Sequence, residues 1–402
     1  MPERRVRVGA SCLVATLLIV SWAAIDAQEP GPLPEATEES VDVTRFGAVA
    51  DGVTDSTRAI QAAIDAAASL GGGRVLFPPA SAPYVVSDTI RISSSNIELV
   101  GRGAELRLAD DAVGGRASPM VLVEGTNEHP VRQVVIGGLA VDANYFAQSN
   151  ARGSKAVVVR FAEDSRIEDV EIRRAYVGVS VRRSFDIEVR RVTVSDYAED
   201  AFDAGGDADL VSGGLAARIS FVDVVARDAP RAADDGNAFE IEDGVETILI
   251  EDGLVENVAG NGVGMRNHDT ADHINHSRDV ELRRVTLRGI GGAYAVFASA
   301  RPAVERQWNS YGHVRLVDMY ADGLCAFWGP VGGVELTGGR YDTIHIGLDA
   351  AGKPVSDPVD RAVLADLDAA SIRINAEGAS RSASTARSTG SLTGLPAASR
   401  PI

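Results

Sequence analysis

The chain has 402 residues, 45% hydrophobic, 24% charged and 5% aromatic, with a formal net charge of -18. That excess of acid excludes a nucleic-acid binder, which needs a basic face for phosphate, and a polyanionic substrate has to meet a local arginine cluster or a bridging cation such as calcium. With two cysteines, Cys12 and Cys325, no disulfide framework is available.

Arg4, Arg5 and Arg7 precede an apolar stretch from Cys12 to Ala24 with small residues at Ala23 and Ala27. This is the pattern of a cleaved secretory signal over residues 1–27, followed by a linker over residues 28–40. The apolar stretch falls short of the roughly twenty residues a span needs, so no membrane span is expected after cleavage. Cys12 lies inside the stretch, which argues against a lipid anchor, and export leaves Cys325 alone. Stability then comes from packing. Lys155 and Lys353 are the two lysines, so a lysine base is hard to supply.

The run FGAVADGVTDSTRAIQAAIDAAA from Phe46 to Ala68 reads as a strand, a tight turn at Asp51-Gly52 and a short helix. Asp55 and Ser56 can cap its first turn, and Ala59, Ile60, Ala63, Ile64 and Ala67 form one apolar stripe. Gly71, Gly72 and Gly73 end the helix, and the segment GGGRVLFPP to Pro79 continues as a strand. Together these segments resemble the opening of the pectate-lyase-like superfamily, with its rhamnogalacturonase/epimerase-like and polygalacturonase-related members. The resemblance implies an all-β, right-handed single-stranded parallel β-helix, a solenoid whose N-terminal end is covered by the helix. It implies a polysaccharide as partner and specifies the chemistry poorly.

Short β-branched segments recur over the expected domain, residues 41–378: Ile97 to Leu99, Val134 to Ile136, Ile167 to Ile172, Ile187 to Val194, Ile219 to Val224, Ile248 to Leu254, Val280 to Leu287, Val314 to Met319 and Val334 to Leu336. Ile167 to Ile187 and Val314 to Val334 are both 20 residues apart, and longer central intervals imply loops inserted into a basic coil of that size. An antiparallel sandwich also suits short strands but has no use for an end-capping helix. A short helix is expected from Asp360 to Leu367 and a last strand at Ile372 to Ile374. Residues 379–402, rich in Ser, Thr, Ala, Gly and Arg, read as a tail without order.

Each coil carries a second strand: GVSV from Gly178, AFDA from Ala201, NAFEIED from Asn237, NGVGMRNH from Asn261, AYAVFAS from Ala293 and LCAFW from Leu324. With Phe202, Phe239, Ile241, Val263 and Met265 inward, alternation turns Asp203, Glu240, Glu242, Gly264, Arg266 and His268 outward. Coils about 4.8 Å apart gather these into one patch.

Two chemistries fit the patch. Paired carboxylates from the group Asp200, Asp203, Asp234, Asp235, Glu240 and Glu242 serve glycoside hydrolysis as acid and base. The Asp-Asp pair, the Gly-His-Gly and the Arg-x-Lys of polygalacturonases have no counterpart here, which counts against that version. β-Elimination or C5-epimerisation of a uronate needs a base and positive charge against the developing anion. His268 is the candidate base, Arg266 the group that neutralises the uronate carboxylate, and Asp203 with Glu240 or Glu242 the candidate calcium ligands. No organic cofactor is expected. The run NHDTADHINH adds His273 and His276 beside Asp269 and Asp272, a zinc alternative whose spacing matches no strong pattern. Phe297 and Trp328 face outward if Val296 and Cys325 face inward, giving stacking surfaces for a sugar ring, with Asp235 and Arg301 as further substrate contacts. Trp308, Tyr311 and Arg306 share the loop with Arg301. The expected protein is an exported lyase or epimerase acting on a uronate-containing glycan, with a glycoside hydrolase or a non-catalytic glycan-binding module as the alternatives.

Overall fold

The computed structural model describes residues 40–112, 119–149, 155–206, 215–232, 236–266, 276–299, 310–328, 331–348, 359, 361–374, 380–383, 387–388 and 392–393. Residues 1–39, and with them the expected signal, lie outside this set, as do Asp234, Asp235, His268, Asp269, Asp272, His273, Arg301, Arg306 and Trp308 and the side chains of His276 and Tyr311.

The helix spans Thr57–Ser69 and buries Ile60, Ala63, Ile64 and Ala67, with Ala59 partly buried, as the stripe requires. It packs against Val41–Asp42, Gly73–Leu76 and Ile90–Ile92, closing the first coil. Burying Ile60 and Ile64 contributes about 1.5–3 kcal/mol each. The capping divides differently from the expectation. Asp55 accepts from the Thr57 amide at 3.0 Å, whereas Ser56 turns its hydroxyl to the backbone of Val49. The segment leading in is not a strand either: Val43–Phe46 forms a 3-10 turn ended by Gly47, while Asp51 accepts from the amides of Val53 and Thr54.

Beyond the helix, the chain winds as a parallel β-helix in which each coil lays strands onto three continuous ladders. The first ladder runs through Leu99, Ile136, Ile167, Val189, Phe221, Ile250, Leu282, Leu316, Leu336 and Leu364. From Ile187 onward the sequence alignment of coils matches the observed register, Ile187 to Ile219 to Ile248 to Val280 to Val314 to Val334. One coil earlier it slips, because Ile187 pairs with Ser165 rather than Ile167. Ser165 is buried and donates to the Glu163 carbonyl while accepting from the Val134 amide, so a satisfied hydroxyl stands where the pattern called for an apolar residue.

The coils turn at stacked left-handed positions. Asp169, Arg191, Asp223, Asp252, Arg284, Asp318 and Asp366 all have φ near +50°, and Asp is among the few non-glycine residues that tolerate this region. Arg191 pairs with Asp169 and Arg284 with Asp252 in fork geometry across neighbouring coils. The interior is apolar: Phe202 and Phe239 stack with centroids 5.0 Å apart, and Phe221 meets both edge-on. Cys325 is buried, and burial pushes its thiol up to about 12, so it packs as a hydrophobe.

The C-terminal expectations need correction. Arg361–Ala365 is a strand on the first ladder, not a helix, since stacking on Val334–Thr337 outweighs local helical spacing. Asp368–Ile374 contains the expected last strand, yet Ser380–Ala383, Arg387–Ser388 and Leu392–Thr393 add further parallel pairings within the segment read as a tail.

Candidate functional site

The third ladder carries the site. Its inward row is Val179, Phe202, Phe239, Val263, Val296, Cys325 and Ile344, all buried. The next residue of each strand gives the outer row Ser180, Asp203, Glu240, Gly264, Phe297, Ala326 and His345. A parallel outer row two residues further along contains Arg160, Arg182, Gly205, Glu242, Arg266 and Trp328, with Ser299 at the register position between the last two. The inward and outward assignments made from the sequence hold for every described residue among them.

Gaps in these rows let side chains cross from coil to coil. At Gly205 an added Cβ would sit 2.4 Å from Arg182 Nη1 and 3.2 Å from Glu242 Cγ. The missing side chain is the passage through which Arg182 spans two coil intervals. Its Nη2 lies 2.8 Å from both carboxylate oxygens of Asp203 and donates to Glu242. Ser180 donates to Asp203 at 2.8 Å, and Lys155 Nζ lies 3.7 Å from the same carboxylate. At Gly264 an added Cβ would meet Asn237 Oδ1 at 2.5 Å and Phe297 Cζ at 2.9 Å. Asn237 thereby reaches Glu240 Oε2 at 3.3 Å and accepts from Asn261, while its backbone amide donates to Asp200 at 2.9 Å.

Four carboxylates, Asp200, Asp203, Glu240 and Glu242, are at most 5% exposed, against the half-buried cations Arg182, Arg266 and Lys155. The charges are not shared evenly. Burial disfavours the charged form of Arg182, but Asp203 and Glu242 overcome this and raise its pKa. Glu240 is pushed up to about 7, by burial first and by Glu242 second, against the opposing pull of Arg266, whose Nε donates to Glu240 Oε1 at 2.5 Å. Asp200 is raised well above the usual range by burial, then by Glu240 and Asp203. Burial and the neighbouring carboxylates thus let Glu240 take up a proton near neutrality.

The calcium reading of Asp203, Glu240 and Glu242 does not fit this arrangement. A guanidinium stands between Asp203 and Glu242, and Glu240 holds a second one, so each carboxylate already faces a cation. Among the described residues no group of His, Cys, Asp and Glu is arranged to hold a metal ion.

Beyond Gly264 the floor is aromatic. Phe297, 7% exposed, stacks with Trp328 at 6.1 Å, and Tyr294 leans on both, at 5.1 Å and 5.4 Å. Val296 and Cys325 are inward as the pattern required. Of the expected residues, Asp203, Glu240, Glu242, Arg266, Phe297 and Trp328 thus come together on one face, while His268, Asp235 and Arg301 lie outside the described residues. Sequence reasoning missed Arg182, Ser180, Lys155, Asn237 and Tyr294. Arg182 was legible by carrying the coil alignment one strand further back, and Lys155, one of the two lysines, stands beside Asp203.

A family profile described as "Rhamnogalacturonase A/epimerase, pectate lyase-like" matches residues 40–175. Alginate lyase 7 of Azotobacter vinelandii is 30% identical over 171 residues, 40% of this chain and 17% of that protein. The tail spike protein of Shigella phage Sf6 is 41% identical over 95 residues, 21% of this chain and 15% of that protein. The chain therefore matches less than a fifth of the length of these curated relatives. Among solved structures, the A-module of the Azotobacter vinelandii mannuronan C-5 epimerase AlgE4 superposes with a TM-score of 0.60 over 87% of this chain and 99% of that one, at 17% identity, a likeness of fold. The chain is a parallel β-helix whose residues 40–175 match the pectate-lyase-like profile.

Proposed function

We propose that the protein is an exported enzyme that binds a uronate-containing polysaccharide along the outer face of the third ladder and abstracts the C5 proton, as a lyase or a C5-epimerase. The observation that carries this reading is the pair Arg266 and Glu240 on adjacent coils, 2.5 Å apart. Elimination and epimerisation both begin by removing a proton beside a carboxylate, which demands a base of near-neutral pKa next to a cation. Glu240, pushed up to about 7, is that base, and Arg266 spends only its Nε on it among the described residues, leaving its Nη donors for a substrate carboxylate.

In the lyase branch the carbanion expels the oxygen at C4, giving an unsaturated uronate and a new reducing end, with Lys155 as candidate donor to the departing oxygen. In the epimerase branch a proton returns to the opposite face of C5 and no glycosidic bond breaks. Phe297, Trp328 and Tyr294 offer a surface for a neighbouring ring. His268, two residues beyond Arg266, is the second candidate base. The alginate lyase and the mannuronan epimerase relatives support a uronan as substrate. The row Asp203, Glu240 and Glu242 favours hydrolysis as the second reading, with protonated Glu240 as general acid.

The test is to incubate purified protein with mannuronan and neutral glycans in deuterated buffer. Ultraviolet absorbance, reducing ends and deuterium at C5 are followed together. Absorbance with reducing ends means elimination, and deuterium alone means epimerisation. Reducing ends alone mean hydrolysis and overturn the first reading, as does silence in all channels with every uronan tried.

A further inference from the structure

A second cluster of aromatic residues stands at the edge of the same face, where chain segments enter the third ladder. Tyr145 and Phe146 lie in the segment before Lys155–Arg160, and Tyr176 immediately precedes Val177–Arg182. Tyr145 stacks on Tyr176 with centroids 5.6 Å apart at 26° and meets Phe146 edge-on at 4.9 Å. Phe146 is 41% exposed, uncommon for a large hydrophobe in a chain whose core holds most others. Over its ring, at 4.2 Å, lies the guanidinium of Arg231, which comes from the segment before Asn237–Glu242. That segment enters three coils later, so the contact joins segments of non-adjacent coils. Arg231 is exposed and makes no ion pair among the described residues, although the protein is strongly acidic. A guanidinium held over a ring face keeps N–H donors suited to a carboxylate.

We infer that Tyr145, Phe146, Tyr176 and Arg231 form an accessory subsite for one anionic sugar residue of the polymer, distant from the reacting one. The sugar's apolar face lies on the aromatic shelf and its carboxylate pairs with Arg231. Four residues of strand separate Tyr176 from Ser180, about 13 Å at the rise of a strand, and Glu240 lies two coil intervals, about 10 Å, beyond Ser180, so the shelf and Glu240 are several sugar rings apart. Short oligomers held over Glu240 therefore do not reach the shelf, and long ones do. This rests on the uronan reading above and adds a determinant of chain-length preference to it.

Titration calorimetry with mannuronate trisaccharide and octasaccharide tests it on the full chain. Wild type binds the octasaccharide more tightly. Arg231→Gln weakens the octasaccharide about tenfold, the scale of one charge-assisted pair, and leaves the trisaccharide unchanged; Arg231→Lys recovers part of the loss. Unfolding midpoints equal to wild type show that the exposed substitution has not altered the fold. If octasaccharide and trisaccharide affinities change equally, or neither changes, the subsite is overturned while the uronan reading stands. If wild type binds neither oligomer, the uronan reading falls and the subsite with it.

Discussion

Arg182 reaches Glu242 across two coil intervals because the residue between them on the ladder is Gly205. The same guanidinium holds Asp203, so one cation balances two carboxylates that are nearly excluded from water. Removing either partner of such a buried pair costs far more than a surface ion pair returns, because the other charge is left without compensation.

Gly205→Ala puts a methyl group 2.4 Å from Arg182 Nη1 and displaces it. The expected result is a loss of about 1–3 kcal/mol in denaturant unfolding, the range for overpacking, together with reduced turnover. Wild-type stability and wild-type turnover in this variant would show that the crossing arginine is dispensable.

Glu240 sets the expected pH dependence. A base must be deprotonated to act, so kcat/KM rises with pH and levels off above about 7. Glu240→Gln removes the rise and lowers turnover by about 10²–10⁴-fold. Arg266 lowers the Glu240 pKa, so Arg266→Gln moves the rising limb to higher pH in whatever activity is left. A profile that instead falls through pH 7 makes Glu240 an acid and favours the hydrolytic reading. A rise that survives Glu240→Gln but is lost in His268→Ala transfers the base role to His268.

Asp142 ties the early coils together. It is fully buried and accepts from Arg173 Nε at 3.2 Å, Arg174 Nε at 2.9 Å and the Asn144 amide at 3.1 Å. Burial alone would raise its pKa, but the two arginines and the amide overcome this and hold its carboxyl below the usual carboxylate value. Its contribution is therefore present above that value and is lost as pH falls through the lower folded one. Asp142→Asn should cost about 2 kcal/mol at neutral pH and make the unfolding midpoint less sensitive to acid. An unchanged acid limb would remove Asp142 from the set of groups that drive acid unfolding.

The coil architecture was readable because burial on a ladder imposes a two-residue alternation that the β-branched residues obey from Ile187 to Val334. The same alternation placed Asp203, Glu240, Glu242 and Arg266 on one face. What the pattern hid are contacts that depend on an absence. Gly205 and Gly264 look like weak strand residues in the sequence, and only their neighbours show that their missing side chains admit Arg182, Asn237 and Phe297. Ser165 misled the register for the converse reason, a polar residue whose hydroxyl is satisfied inside the coil. The helix expected from Asp360 failed because local spacing is a weak prior beside a row of strands awaiting a neighbour.

Thr247 has the least comfortable backbone at the coil corners. It stacks in the column Asp164, Asp186, Arg218, Thr247 and Asp279, all left-handed, and its φ is +60°. A β-branched side chain crowds the following carbonyl in this region, while Asn adopts it readily. The position is half-buried, and the Thr247 hydroxyl makes no hydrogen bond among the described residues that a replacement would forfeit. Thr247→Asn is expected to stabilise the protein by about 0.5–1 kcal/mol, part of the left-handed penalty, with turnover unchanged. Thr247→Val, with the same branching and no hydroxyl, should give no gain. Equal unfolding free energies for wild type and Thr247→Asn would mean that the stacked neighbours, rather than the residue's own preference, set the conformation of this corner.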